Sequence, residues 1–326
     1  MKIVFYDNGA AIRGVSPHHF TVMKGVSVTM EQEIRISHVN KFYGKKQALK
    51  DVDLVIPQGM FGLLGRNGAG KTTLMKTLAT LHGKQSGEIR VCGVPIENAK
   101  EIRGMIGYLP QDFSMYPSMT VYECLDYLGT LSGMSKMERK KSIDQLIQKV
   151  NLDEQRNTKV KKLSGGMKRR LGIAQALLHD PGVLIVDEPT AGLDPEERIR
   201  FRNLLCEVAE ERIVILSTHI VGDIEATCEN IAIMNEGEIL WRGTVSKLLE
   251  NARGKVYTAN ITRQQLGEVK ASYIVIGMLK QGETINIRFV SEKKPEKIHG
   301  TEAEPNCEDA YMYCLYQNGC GMDEED

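Results

Sequence analysis

Apolar and polar residues alternate through "EIRISHVNKFYG" and "ALKDVDLVIPQG", residues 33–44 and 48–59, and each run closes on a glycine turn. Period-two patterning of this kind predicts two half-buried strands. "MFGLLG", residues 60–65, predicts a core strand that runs straight into a glycine-rich loop. Between residues 112 and 162 the period changes. "VYECLDYLGTL" and "ERKKSIDQLIQKVNL" place apolar residues three and four apart, which predicts a helical block inserted into an α/β domain.

Past that block the pattern predicts a helix on which Met167, Leu171, Ala174 and Leu178 form one apolar face. It continues with the apolar strand "VLIVD", a polar helix from about Pro195, the strand "RIVILSTH" and short strands through Gly243. Alternating strands and helices predict a mainly parallel sheet covered on both faces. From about Lys255 the text shifts again: "YIVIGMLKQGETINIRFV" reads as a hairpin turning at Gln281, Gly282 and Glu283, and "NCEDAYMYCLYQ" as a short terminal helix. Residues 1–32 read as a loose leader and "GMDEED" as a solvated acidic tail. There is no internal repeat.

Composition narrows the partners more than the fold. At 326 residues there is room for one large or two modest domains, and 42 Lys and Arg balance 42 Asp and Glu. No global field therefore draws the chain to nucleic acid or an anionic membrane. Seven cysteines, at 92, 124, 206, 228, 307, 314 and 320, show no C-x-x-C or zinc spacing and read as reduced thiols. The chain lacks the run of roughly 20 apolar residues that crosses a bilayer, and its first residues make a poor signal peptide. Any work at a membrane is thus expected to go through spanning helices of another chain.

Two motifs carry chemistry. "GRNGAGKTT", residues 65–73, follows a predicted strand and precedes a predicted helix, the context that a phosphate loop requires. Gly65, Gly68 and Gly70, with Asn67 among them, allow consecutive amides to converge on phosphate oxygens. Lys71 brings a charge for the β- and γ-phosphates, Thr72 a hydroxyl for Mg²⁺ and Thr73 a hydrogen bond for the α-phosphate. "VLIVDE", residues 183–188, delivers two acids from a buried strand expected to lie beside the loop strand: Asp187 for Mg²⁺ and Glu188 to take a proton from water. A second anion-binding start follows Ser164 in "LSGGMKRR", where Gly165 and Gly166 open a helix.

Together these motifs resemble the nucleotide-binding subunits of ATP-binding cassette (ABC) transporters, over about residues 33–245. "LSGGM" is similar to that family's signature, and "GMKRRLGIAQALLHDPGVLIVDEPTAGLDP" with "EPNCEDAYMYCL" resembles its export-type branch. The resemblance implies an α/β phosphate-loop NTPase fold with a helical subdomain (about 112–162) and an antiparallel β subdomain, plus a small C-terminal α+β module over 246–326. It implies ATP and Mg²⁺ as ligands, with Tyr43 stacking on adenine and Gln111 touching the Mg²⁺ site. It also implies His219 at the γ-phosphate and Asp194 at a dimer contact.

In this family two cassettes pack head to tail, so Ser164, Gly165 and Gly166 are implied to hold the γ-phosphate bound by a partner. The implied partners are a second copy or a paralogous ATPase and an integral membrane permease, on the cytoplasmic face of the membrane, with no nucleic acid. Two other readings stay open: a soluble cassette ATPase acting on ribosomes or DNA, and a cassette used for binding or assembly without turnover.

Overall fold

The computed structural model describes residues 32–320, together with the backbone of two short paired strands, Tyr6–Asp7 and Ala10–Ala11. Most of the expected leader and all of "GMDEED" lie outside the described residues. Contacts divide the chain into two compact units, Met1–Met60 with Thr72–Ser217, and Phe61–Lys71 with Thr218–Asp326.

In the first unit, strands Glu33–Tyr43 and Lys46–Pro57 pair antiparallel, and Ser86–Val91 and Val94–Pro95 extend the sheet. The alternation read from the sequence is its burial pattern: Ile34 faces Ile56 and Val91, Ile36 faces Leu54 and Ile89, and all six are at most 2% exposed. Each such side chain contributes on the order of 1.5–3 kcal/mol by leaving water. A second sheet element is parallel, with Val183–Asp187 between Ile106–Leu109 and Ile213–Thr218. All of Val183–Asp187 is buried, as an apolar run flanked on both sides must be.

Both lateral edges of Val183–Asp187 are therefore taken, so it does not lie directly beside the loop strand as expected. The reason is topological: the short crossover through helix Pro195–Ala209 returns the very next strand to its side.

The helical block holds Val121–Leu131 and Lys136–Lys149, and both begin at capping boxes. Thr120 exchanges hydrogen bonds with Glu123, and Ser135 with Glu138. Arg139 Nε donates to Asp126 Oδ1 at 2.8 Å and ties the two helices together. The helix Gly165–Leu177 departs from its expected single apolar face. Gly172, Ile173 and Ala176 are buried as well, and Arg170 is buried while donating to the Val150 and Asn151 carbonyls at 3.1 and 2.8 Å. Neighbours on several sides cover it, which a moment of the sequence alone does not reveal.

In the second unit, residues 61–64 of the strand Gly59–Leu64 pair parallel with Asn230–Asn235, which turns at Glu236 and Gly237 into antiparallel Glu238–Thr244. Beyond helix Val245–Ala252 a separate antiparallel sheet forms, in the order Ile274–Gln281, Thr284–Val290, Val256–Thr262, Thr301–Glu302. The predicted hairpin pairs Gln281 with Thr284, and Gly282 sits at φ 63°. Helix Leu266–Ser272 places Val269 in a core with Tyr257, Ala259, Ile261, Ile287 and Phe289. The terminal helix Cys307–Gln317 starts at a third capping box, Asn306 with Asp309.

Candidate functional site

The glycine-rich loop is shaped by close approaches that side chains would forbid. A Cβ on Gly65 would stand 2.2 Å from the Met234 carbonyl oxygen, so backbone contact itself requires glycine there. Gly68 and Gly70 have φ of 80° and 106°, in the region that favours glycine. The loop is fastened by Gly65 N to the Thr218 carbonyl (3.3 Å), Ala69 N to the Arg66 carbonyl (3.2 Å) and Gly237 N to the Ala69 carbonyl (2.8 Å). Asn67 and Gly68 form its exposed crest.

Lys71 opens the helix Lys71–Leu78 and is 3% exposed, with Nζ donating to the carbonyls of Gly65 and Arg66 at 2.7 and 3.0 Å. The ammonium is thus curled back onto the carbonyls of its own loop. A buried ammonium at the start of a helix, beside a loop that Gly68 and Gly70 let curl, fits an anion with several oxygens, as a polyphosphate is. The same unit brings the loop near His219, which is exposed and follows directly on the Thr218 that receives the Gly65 amide.

In the other unit Thr72 and Thr73 are half-buried on the first turn of their helix. Asp187 is wholly buried at the end of its strand, and its charge is felt by Tyr108, whose phenol is pushed well up first by burial and then by that carboxylate. A carboxylate brought to the tip of a buried strand suits a hard divalent cation. Glu188 is 5% exposed and holds φ at 46°, a left-handed conformation unusual for a side chain of this length; its amide donates to the Ser217 carbonyl at 2.9 Å.

Gln111 is exposed, and its carbonyl accepts from Arg169 Nη1 at 2.6 Å. Arg169 lies on the helix that begins after Ser164, so that helix holds the Gln111 segment directly. Sequence reasoning passed over Arg169, as it did Arg170, because neither is among the apolar residues of the one face expected of that helix.

Ser164 caps that helix, its Oγ accepting from Met167 N at 3.2 Å. Gly165 is exposed with open space where a Cβ would stand, whereas a Cβ on Gly166 would meet the Glu197 carboxylate at 2.3 Å. Glu197 is held by Arg200 at 3.0 Å and Arg170 at 3.5 Å, so its charge at this helix start is compensated. Asp194 caps the neighbouring helix, its Oδ1 accepting from Glu197 N at 2.9 Å. Tyr43 is 45% exposed; its ring meets His82 edge-on at 5.9 Å, with Lys41 Nζ 5.3 Å from the ring centre.

Residues 49–191 match the family described as ABC transporter. The chain is 38% identical over 235 residues to the ABC transporter ATP-binding protein YxlF of Bacillus subtilis (strain 168), covering 72% of this chain and 78% of that one. It is 38% identical over 230 residues to the Nod factor export ATP-binding protein I of Paraburkholderia xenovorans (strain LB400), covering 69% and 75%. The dimeric structure of MJ0796, a bacterial ABC transporter cassette, matches with a TM-score of 0.59 at 27% identity, over 65% of this chain and 98% of that one. The chain belongs to the ABC transporter ATP-binding proteins. It is an ATP-binding ATPase subunit of a transporter, with export-type relatives.

Proposed function

We propose that this ATPase pairs with a second cassette on binding ATP and drives a separate membrane permease, in the direction of export. The observation that carries the reading is the contrast between its two glycine-led helix starts. One encloses a buried lysine, and the other presents Ser164 and an open Gly165. The second can complete an anion site that another chain founds, and the sequence holds a single set of these motifs. The export-named relative and the dimeric cassette support the same reading. None of the described helices is long and apolar enough to cross a membrane. On this reading the permease holds the subunit at the cytoplasmic membrane face.

The roles follow residue by residue. The amides of Gly65, Asn67, Gly68 and Gly70 with Lys71 bind the β- and γ-phosphates, Thr73 the α-phosphate, and Tyr43 stacks on adenine. Thr72, Asp187 and Gln111 would hold Mg²⁺, which when bound neutralises charge on the phosphate oxygens. Glu188 takes the proton of the water that attacks the γ-phosphorus as the bond to the ADP oxygen breaks, and His219 hydrogen-bonds the γ-phosphate. Ser164, Gly165 and Gly166 hold the partner's γ-phosphate, and Asp194 lies at the dimer contact. Residues 33–245 form the cassette, with the helical block 112–162 facing the permease, and 246–326 form an accessory module.

A mixed dimer tests the head-to-tail reading. One protomer carries Ser164→Arg and its separately tagged partner carries Lys71→Ala. If the signature acts on the other chain, one site is intact and the dimer binds one ATP, while both homodimers bind poorly. Binding no better than that of the homodimers would mean that the signature serves its own loop.

A further inference from the structure

Residues 246–326 take no part in the chemistry assigned above, yet they reach the phosphate loop through a turn that touches both. The turn that joins Asn230–Asn235 to Glu238–Thr244 makes contacts in two directions. Toward the loop, Gly237 N donates to the Ala69 carbonyl at 2.8 Å, and the Met234 carbonyl occupies the space beside Gly65. Toward the C-terminal region, Asn235 Nδ2 donates to Cys320 Sγ at 3.2 Å. The turn has little slack, since Glu236 and Gly237 hold φ at 45° and 89°.

Cys320 is carried by the end of the terminal helix, its amide donating to the Leu315 carbonyl at 2.9 Å. That helix is anchored in turn. Asp309 is 0% exposed and accepts from Arg288 Nε at 2.8 and 3.0 Å and from Nη2 at 2.5 Å, while also closing the capping box with Asn306. Arg288 belongs to the C-terminal sheet, so sheet, helix, turn and loop form one unbroken series of contacts. Tyr311, on the same helix, senses the loop as well: burial pushes its phenol up, and the Arg66 guanidinium pulls it back.

The geometry points to the C-terminal module as a buttress of the phosphate loop, with Asn235 and Cys320 as positioning residues that set the loop for nucleotide through the Met234–Gly237 turn. This rests on the reading of the loop as the ATP-phosphate site. A link of this kind acts on binding rather than on the chemical step, because neither residue touches the reacting atoms. It is also reciprocal: nucleotide that fixes the loop must steady the Asn235–Cys320 contact by the same factor.

The test is calorimetric titration of the full chain with ATP, alongside steady-state hydrolysis. Asn235→Leu and Cys320→Ala should each weaken ATP binding by roughly fivefold, the low end of measured couplings, with kcat at saturating ATP unchanged. The double variant should lose little more than either single one. Cys320→Ser, which keeps an acceptor, should restore binding. In the unaltered protein ATP should slow alkylation of Cys320 by iodoacetamide, read by peptide mass spectrometry. Unchanged affinity in either variant, equal loss in the Ala and Ser variants, or alkylation indifferent to ATP would each overturn the buttress. Lys71→Ala is the control: if it keeps its affinity for ATP, the loop reading itself fails, whereas its loss beside an unaffected Asn235→Leu sinks the buttress alone.

Discussion

The phosphate loop and the signature start look alike in sequence, each a run of small residues opening a helix, but they are built differently. In the loop the backbone is inverted at Gly68 and Gly70, and a lysine ammonium lies inside the curl. At the signature, Gly165 and Gly166 are not in the left-handed region, and the Ser164 hydroxyl oxygen accepts from the Met167 amide. Gly166 is needed so that Glu197 can pass, and Gly165 fills no packing role. On the proposed reading, the first arrangement founds an anion site from its own chain, and the second adds a helix end and the Ser164 hydroxyl proton to an anion that another chain already holds.

The largest expected effect tests whether the loop belongs to a hydrolase. Glu188→Gln should lower ATP turnover by roughly 10²–10⁴-fold by removing the base, with calorimetric ATP affinity retained. Turnover at the normal rate would take Glu188 out of the chemistry. Next, Lys71→Ala should weaken ATP binding by about 10²-fold, since a buried charge partner of the phosphates is lost. If titration shows an unchanged constant, the contrast between the two helix starts loses its main term.

A smaller pair of changes sharpens the contrast. Gly68→Ala forces a side chain into φ 80° and should cost about 1–2 kcal/mol in thermal or denaturant unfolding unless the loop shifts. Gly165→Ala meets open space at an ordinary φ, so its melting curve should move by the equivalent of no more than about 0.5 kcal/mol in either direction. Equal destabilisation by the two substitutions would show that both starts are strained and that the two are not built differently.

Much of this was legible from the chain because local and global preferences agree. The alternation in Glu33–Tyr43 and Lys46–Pro57, the uniform run of Val183–Asp187, and the hairpin around Gly282 all appear where the period places them. What escaped was set by distant neighbours. Ser86–Val91 and Val256–Thr262 are short and carry polar residues, and they are strands because partners pair with them. The burial of Arg170 depends on carbonyls of Val150 and Asn151 about 20 positions earlier, and no helical period encodes that. Within the loop unit, the Asn235–Cys320 bond spans 85 residues, a separation at which pattern says nothing.

The division of the chain also bears on how the protein is made. Residues 61–71 share a unit with residues from 218 onward. At roughly 5–20 residues per second, a ribosome needs about ten to thirty seconds between adding Lys71 and adding Gly237, whose amide fastens the loop. During that interval the segment Phe61–Lys71 is synthesised but lacks the neighbours that shape it. Birth order therefore leaves the loop without its fastening long after its own residues have emerged.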